Sequence, residues 1–434
     1  MYVMNVRALL ESGMMMKYEI RLERMLHNAQ CLGRLPSGEI CLLKNALPGE
    51  LVWLEPKRKK GVLQGIVQEE DILEAHLDRI PSSLHPGLDY SFLPYDKQLL
   101  LKQDVLKDVL ARAELAECEV HPVIPSPKAW GYRNSIQVAC SKEGIGYRRP
   151  LSHQVLPMHN DPVAQDSINA IWPFVSERAA GLKGVEEIVI RSNYLGEILL
   201  CLVARASAVN YTAIAQDWLN ACPPIHGIFY APHDERGRFR SGSERLRGKK
   251  HIYERYGDVD INVNISSFAQ PNPLAAGRMF QDIRRLVESD DTLRGRAIDL
   301  FAGSGVIAMH ISQCFDEVLV MDIDRSSMVR GERDAARLGL SNLRFQQTDA
   351  RKLRGLEGAS LLCIDPPRAG LSKAIRELIL ASDCSTLLYI ACDVASWARD
   401  IAELSRHGFA LQKAQAYDFY PQTHHIEMLS VLKR

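Results

Sequence analysis

From Pro273 to the C-terminus the 434-residue sequence alternates helical and strand-like segments, which predicts an α/β chain ending in a doubly wound, mainly parallel sheet. Three observations carry this expectation. The helix-spaced run LAAGRMFQDIRRLVES precedes the apolar strand RAIDLF, and further strands (VLVMD, LRFQQTD, SLLCIDPP, TLLYIACD) alternate with amphipathic helices (SSMVRGERDAARLG, SKAIRELILAS, SWARDIAELSRHG). A glycine turn, Asp299 to Gly305, joins the first strand to a helix. The last two strands, around LQKAQAYDF and IEMLSVLKR, have no helix between them and therefore form an antiparallel edge.

Upstream the pattern differs. From about Tyr18 to Arg79, short strands (YEIRLERML, EICLLKN, ELVWLEP, VLQGIVQ) are punctuated by Pro36-Ser37-Gly38, Pro48-Gly49 and the basic run Lys57-Arg58-Lys59-Lys60, as in a small barrel. The run DKQLLLKQDVLKDVLARAEL is helical in spacing. Residues from Val120 to about Ile265 mix strands (SIQVAC, GEILLCLVA) with a helix (VAQDSINAIWPFVSERAAG), an α+β region. The expected partition is 17–80, 81–265 and 266–434. Residues from Met1 to about Met15 match no element and are expected to be peripheral, with a start at Met14, Met15 or Met16.

Charge is balanced, 53 basic against 53 acidic residues, which argues against a uniformly nucleic-acid-coated protein. It is segregated, however, into Lys57–Lys60 and a second run comprising Arg236, Arg238, Arg240, Arg245, Arg247, Lys249 and Lys250. Both runs are candidate RNA contacts. No apolar run is long enough to span a bilayer, and MYVMNVRALLESGMMMKYEI lacks a basic leader and a cleavage site, so a cytoplasmic protein without a membrane partner is expected. The ten cysteines contain no CxxC pair, which gives no basis for a zinc or disulfide framework.

The candidate site residues fall at the carboxyl ends of strands, where such sheets bind ligands. Glycines in Asp299-Leu300-Phe301-Ala302-Gly303-Ser304-Gly305 let the backbone approach a ligand, and Asp322, ending the next strand, is placed to bind ribose hydroxyls. Val306 and Ile307 stand where a dinucleotide fingerprint would carry its third glycine, so an adenosyl group without a pyrophosphate is favoured. Asp349 ends LRFQQTD within reach of an adenine, Asp365-Pro366-Pro367-Arg368 ends SLLCIDPP, Cys392 ends TLLYIAC and Glu427 begins the last strand.

In this order the motifs resemble the RNA 5-methyluridine (uracil-C5) methyltransferase family. The segments that carry the resemblance are Phe268-Ala269-Gln270-Pro271-Asn272, Asp299 to Gly305, Asp322, Asp365 to Gly370, Ala391-Cys392-Asp393-Val394 and His425-Ile426-Glu427. The resemblance implies a class I methyltransferase sheet whose S-adenosylmethionine site is lined by Gln270, Phe301, Val306, Asp322 and Asp349. Asp365, grouped with these, is implied near the uracil ring, Cys392 as nucleophile and Glu427 as proton-abstracting base. Upstream, YEIRLERMLHNAQCLGRLPSGEICLLKNALPGELVWLEPKRKKG is similar to a TRAM domain, an OB-like RNA-binding barrel, with Ala46-Leu47-Pro48-Gly49-Glu50 its most specific piece. Trp130-Gly131-Tyr132-Arg133-Asn134 resembles the family's YRN segment in a central RNA-binding domain.

Two departures stand out. RIPSSLHPGLDYSFLPYDKQ lacks the cysteines that hold an iron–sulfur cluster in many relatives, and Asp161 lies where the fourth ligand would, so no cluster and no metal is expected. Ala391-Cys392-Asp393-Val394 replaces Ser-Cys-Asn-Pro, and the added Asp393 carboxylate is expected to raise the thiol pKa.

The chemistry suits the pair. Carbon 5 of uracil is a weak nucleophile until a thiolate adds to carbon 6, and a base must then remove the carbon 5 proton so that the thiolate can leave. The expected activity is S-adenosylmethionine-dependent methylation of a uridine in RNA by a monomer. Ribosomal RNA is favoured because a TRAM domain plus a central domain resembles the ribosomal branch. Three alternatives stay open: a transfer-RNA uridine methyltransferase, a nitrogen-directed methyltransferase, and a catalytically idle RNA-binding or ribosome-assembly protein. Arg368 after the two prolines, where nitrogen-directed enzymes carry an aromatic residue, speaks against the second.

Overall fold

A computed structural model describes residues 17–83, 85–115, 118–149, 152–205, 207–233, 242–353 and 355–434. The N-terminal segment up to Met15 and Arg236, Arg238 and Arg240 of the second basic run lie outside the described residues. The chain divides into two compact units, one reaching to Asp108 and including Gln422–His424, the other made of Val109–Pro421 and His425–Arg434.

Strands β1 (Tyr18–Met25), β2 (Cys31–Arg34), β3 (Ile40–Lys44), β4 (Leu51–Leu54), β5 (Lys57–Lys59), β6 (Val62–Ile66) and β7 (Ile72–Glu74) of the first unit form one sheet in the order β5-β6-β3-β2-β1-β4-β7. A register shift between Leu22 and Arg24 bends β1, which pairs with β2 on one side and β4 on the other, the curl expected of a small barrel. Alternate residues of β1 (Ile20, Leu22) point into a core shared with Cys31, Cys41, Leu43 and Val52. Gly33 is required in β2, because a Cβ there would lie 2.6 Å from the Ile20 side chain. Glu50 closes the loop that begins at Ala46. Fully buried, it accepts the Leu47 N–H at 2.8 Å and both the Nε and an Nη of Arg79 at 2.5 and 2.8 Å. The basic run is not punctuation: Lys57–Lys59 is itself a fully exposed strand paired with β6, and the turn falls one residue later, where Lys60 and Gly61 take positive φ. Helix α1 (Tyr95–Arg112) follows, and the first unit ends within it.

The second unit begins with a mostly antiparallel sheet of β8 (Ser135–Ser141), β9 (Gly144–Arg148), β10 (Val155–Pro157), β11 (Val185–Ser192), β12 (Ile198–Ala204), β13 (Ile225–Pro232) and β14 (Glu244–Gly248). Its order is β10-β9-β8-β11-β12-β13-β14, with β12 and β13 parallel. Helices α2 (Asp166–Ala179) and α3 (Thr212–Ala221) cover it, burying Trp172 and Trp218 in one core with Ile188, Ile190 and Leu200. A separate hairpin, β15 (Ile252–Tyr256) and β16 (Val259–Val263), leads to helix α4 (Pro273–Glu288). Asn272 caps α4 by accepting the Ala275 N–H, and its amide donates to Ser126 Oγ and the Phe419 carbonyl.

The last sheet holds β17 (Arg296–Leu300), β18 (Glu317–Asp322), β19 (Leu343–Gln347), β20 (Leu361–Ile364), β21 (Thr386–Ala391), β22 (Ala410–Tyr417) and β23 (Glu427–Lys433) in the order β19-β18-β17-β20-β21-β23-β22. Strands β17 to β21 run parallel, and β23 is antiparallel to both neighbours, which is the doubly wound sheet with an antiparallel edge expected from the sequence. Helices α5 (Val306–Ile311), α6 (Arg325–Arg337), α7 (Lys373–Ala381) and α8 (Val394–Arg406) complete the alternation. Chain order reverses at β17, so the crevice for a ligand opens at the carboxyl ends of β17, β18 and β20. No helix among the described residues is long and apolar enough to cross a membrane.

Candidate active site

The loop after β17 departs from ordinary backbone geometry. Phe301 is left-handed at φ 63°, a conformation that costs a non-glycine residue about 1–3 kcal/mol, and Gly303 and Gly305 follow at 57° and 77°. A Cβ on Gly305 would stand 2.9 Å from Val320 and 3.1 Å from Phe345, so glycine is needed for the loop to lie against the sheet. The loop is held from the next strand. Ala302 N–H donates to the Met321 carbonyl at 3.1 Å, and Gly303 N–H donates to Asp322 Oδ2 at 3.0 Å. The other oxygen of Asp322 accepts the Asp324 N–H at 2.8 Å, which leaves the carboxylate fixed and partly exposed at the strand end. Beneath the loop Asp299 is fully buried; burial pushes its carboxyl up to about 8, against the pull of the Ala308 N–H it accepts.

Asp349 lies beyond the end of β19 and caps a short helical turn. The Arg351 guanidinium, at 2.7 and 2.9 Å, holds its carboxyl down at about 2. Gln270 is partly exposed just ahead of α4, its backbone carbonyl accepting the Tyr256 hydroxyl at 3.0 Å. Val306 opens α5, partly buried against the core.

Past β20 the electrostatics reverse. Asp365 follows β20, Cys392 follows β21, and Glu427 opens β23, three neighbouring strand ends. Glu427 is only 2% exposed, and burial, reinforced by the Asp365 charge, raises its carboxyl well above the ordinary range while Arg368 pulls it back. Asp365 keeps some exposure at the rim, but protein encloses its carboxyl enough for burial to push it up to about 7. The half-exposed Cys392 thiol rises to about 11, through burial first and then through Glu427 and Asp365, with Arg368 opposing. Asp393 is not among the causes. It is the N-cap of α8, accepting the Ser396 N–H at 2.8 Å, so the expected rise of the thiol pKa occurs but has a different origin from the one read in the sequence.

The structure thus gathers Asp365, Cys392 and Glu427 into one charge-coupled group, with Asp322 holding the glycine loop at the adjacent strand ends. Among the described residues no hydrogen bond joins Gln270, Val306 or Asp349 to that group. Three neighbours carry no site role in the sequence reading. Arg368 follows the two prolines, and its Nη2 lies 3.5 Å from His425 Nε2. Tyr420, whose ring meets His425 edge-on at 5.6 Å, has its hydroxyl pKa raised by burial and then by Glu427, with Cys392 adding to the rise. Arg133 opposes that rise, and its own Nε is buried without a partner among the described residues. Arg133 was visible only as part of a motif; nothing in spacing links it to residues some 290 positions away. Asp161, expected in place of a cluster ligand, is buried and accepts the Tyr147 hydroxyl and the Val163 N–H. Among the described residues no group of three or more His, Cys, Asp or Glu is placed to hold a metal ion.

Known proteins share the sequence and the fold. An uncharacterized RNA methyltransferase of Halalkalibacterium halodurans is 26% identical, covering 96% of both chains. One of Thermosynechococcus vestitus is 24% identical over 95% of this chain and 97% of its own. The tRNA (uracil-54, C5)-methyltransferase of Pyrococcus abyssi, solved with S-adenosyl-L-homocysteine, shares the fold with a TM-score of 0.77 at 23% identity, over 95% of this chain and all of that one. Residues 245–434 match the tRNA (uracil-5-)-methyltransferase family, and the family expected from the order of the motifs is the one found.

Proposed function

We propose that this chain transfers a methyl group from S-adenosylmethionine to carbon 5 of a uridine in RNA through a covalent adduct between Cys392 and carbon 6. The observation that carries the proposal is the enclosure of Cys392 beside Asp365 and Glu427 at three neighbouring strand ends. A half-exposed thiol and two carboxyls with raised pKa values at one rim suit attack followed by proton removal, and a nitrogen-directed methyltransferase has no use for them.

The residues at the glycine loop fit an adenosyl group. Asp322 presents a fixed carboxylate to a pair of ribose hydroxyls, Phe301 and Val306 offer partly exposed apolar surface, and Asp349 and Gln270 supply polar groups for the base and the rest of the ligand. When bound, S-adenosylmethionine supplies an electrophilic methyl group. The protein's residues do the rest. The half-exposed Cys392 thiol releases its proton to solvent and forms the S–C6 bond, which moves the C5=C6 electron pair onto carbon 5 as an enolate able to take the methyl. Glu427 then accepts the carbon 5 proton, the C5=C6 bond re-forms, and the S–C6 bond breaks to return the thiolate. Asp365 and Arg368 set the charge around both partners.

Residues 17–80 and 81–265 are taken as RNA-binding domains and 266–434 as the methyltransferase domain, working as a monomer in the cytoplasm, where thiols stay reduced. The exposed Lys57–Lys60 strand and turn and the exposed Arg245, Arg247, Lys249 and Lys250 supply phosphate contacts. Ribosomal RNA is the first substrate to test. The archaeal transfer-RNA enzyme shares this fold over its full length, so the presence of the extra domains does not by itself separate the two RNA classes. Mapping 5-methyluridine in ribosomal and transfer RNA with and without the gene decides between them. The mechanism is tested with RNA containing 5-fluorouridine, which should trap a denaturant-resistant protein–RNA adduct in the wild type and none in Cys392→Ala. An adduct formed by Cys392→Ala would overturn it.

A further inference from the structure

Between the β15–β16 hairpin and helix α6 lies an open groove of about 730 Å³ that contains none of the residues assigned above to the cofactor or the chemistry. Its walls carry Lys250, Arg325, Arg330, Arg333 and Arg337 against two carboxylates, Asp324 and Asp334. Both acids are already engaged. Asp324 is the N-cap of α6 and accepts the Ser326 and Ser327 N–H groups and the Ser327 hydroxyl. Asp334, itself buried, accepts the Asn262 N–H at 2.6 Å and an Arg337 Nη at 3.3 Å, which pins the hairpin to the helix.

Several of the cations are free. Lys250, Arg325 and Arg333 are exposed and make no side-chain hydrogen bond or ion pair among the described residues. Arg330 donates both Nη groups to Ser326 and Ser327, while its Nε is buried without a partner among the described residues. Two half-exposed rings complete the wall, Tyr253 beneath the Arg337 guanidinium at 4.8 Å and His251 edge-on to Tyr253 at 5.6 Å. From Arg325 to Arg337 the helix extends roughly 18 Å at 1.5 Å per residue, room for a stretch of polyanion rather than one phosphate. The groove begins close to the cofactor loop, because Asp324 stands two residues after Asp322 in the chain.

We propose that this groove binds the phosphodiester backbone of the RNA strand that carries the target uridine, as a contact surface beyond the two basic runs and the rim that carries Cys392. Free guanidinium and ammonium groups hold phosphates, and the two rings give unpaired bases a surface to stack on. The inference rests on the uridine-methyltransferase reading for the identity of the polyanion.

The test uses the full chain and a fluorescent RNA stem-loop containing an unpaired uridine. Arg325→Glu/Arg333→Glu, which leaves the basic run ending at Lys250 intact, should weaken binding by about tenfold or more and lower the slope of log K against log salt by about 0.7–0.9 per lost phosphate contact. S-adenosylmethionine affinity and the methylation rate at saturating RNA should stay at wild-type values, with the loss confined to KM. Arg344→Glu, an exposed arginine on β19 outside the groove, is the charge control and should bind RNA nearly as the wild type does. Equal weakening by the control assigns the effect to net charge and overturns the proposal. Unchanged affinity and salt slope in the double variant overturn it too and leave the groove to an acidic protein partner. A wild-type chain that binds RNA through the groove but methylates no uridine would instead overturn the uridine reading.

Discussion

The rim of the C-terminal sheet carries carboxylates on both sides of β17, and the two sides treat them oppositely. On the β18–β19 side Asp322 and Asp349 are partly exposed, and each is fixed by donors: backbone N–H groups for Asp322, Arg351 for Asp349, whose carboxyl is held at about 2. On the β20–β23 side burial pushes Asp365 up to about 7, and burial with the added Asp365 charge pushes Glu427 well above the ordinary range. Solvated, fixed carboxylates are suited to holding hydroxyl and amino groups of a ligand. Enclosed carboxyls that hold a proton more tightly than usual are suited to moving one. One edge of one sheet therefore holds two kinds of carboxyl, set apart by hydrogen-bond donors on one side and by burial on the other.

The largest effects should come from the enclosed side. Cys392→Ala should abolish methylation while leaving S-adenosylmethionine affinity unchanged, measured by calorimetry. Glu427→Gln should lower the rate by about 10²–10⁴-fold, the usual worth of a general base, and should accumulate a protein–RNA adduct with unmodified substrate. Turnover at the wild-type rate in Glu427→Gln would break the comparison at its centre.

A second effect concerns the thiol. Burial, and after it Glu427, raise the Cys392 pKa to about 11, so Glu427→Gln should shift the pH midpoint of Cys392 alkylation to lower pH even as turnover falls. Asp349→Asn should leave that midpoint where it is. Measuring the rate of iodoacetamide labelling against pH compares the two sides directly, and an unmoved midpoint in Glu427→Gln would show that burial alone sets the thiol.

Stability offers a third comparison. Asp365 and Asp299 bind protons more tightly in the folded chain, at about 7 and about 8, than in the unfolded one, near 4. Stability from these groups is fully present below the unfolded value and is lost as pH rises through the window from about 4 to about 8. Asp365→Asn should flatten the lower part of that loss, up to about pH 7, by an amount on the order of a few kcal/mol, read from urea midpoints. A fall of the same steepness in the variant would contradict the enclosure of Asp365. The smallest effect is expected at Asp349. Its replacement by Asn should weaken S-adenosylmethionine binding by roughly twofold to tenfold, about the worth of one hydrogen bond, and leave the pH dependence of stability above pH 4 unaltered.

How much of this was readable in advance varies with the physical signal. The elements of the C-terminal sheet follow from long apolar strands and helices of clear period, and Asp299, Asp322, Asp365 and Glu427 could be placed at strand ends from that pattern. In the N-terminal sheet β2, β5 and β7 went unread. They have only three or four residues each, one contains Gly33, and one is the basic run that looked like a loop. Short strands have too few residues for a period of two to show, and they form because neighbours offer paired backbone groups.

The sequence by itself determined which residue types reach the rim, because strand length and alternation fix where each strand ends, and it determined the glycine loop, because only glycine fits against Val320 and Phe345. Tertiary structure alone decided the rest. Asp393 looks like a charge beside the nucleophile and is a helix cap, whereas Glu427 and Asp365, distant in sequence from Cys392, are the charges that move its thiol. Arg133 and Tyr420 join the site only because separate segments of the chain close on the same rim. A pKa depends on enclosure and on charges a few ångströms away in space, and neither is a property of the neighbouring residues in the chain.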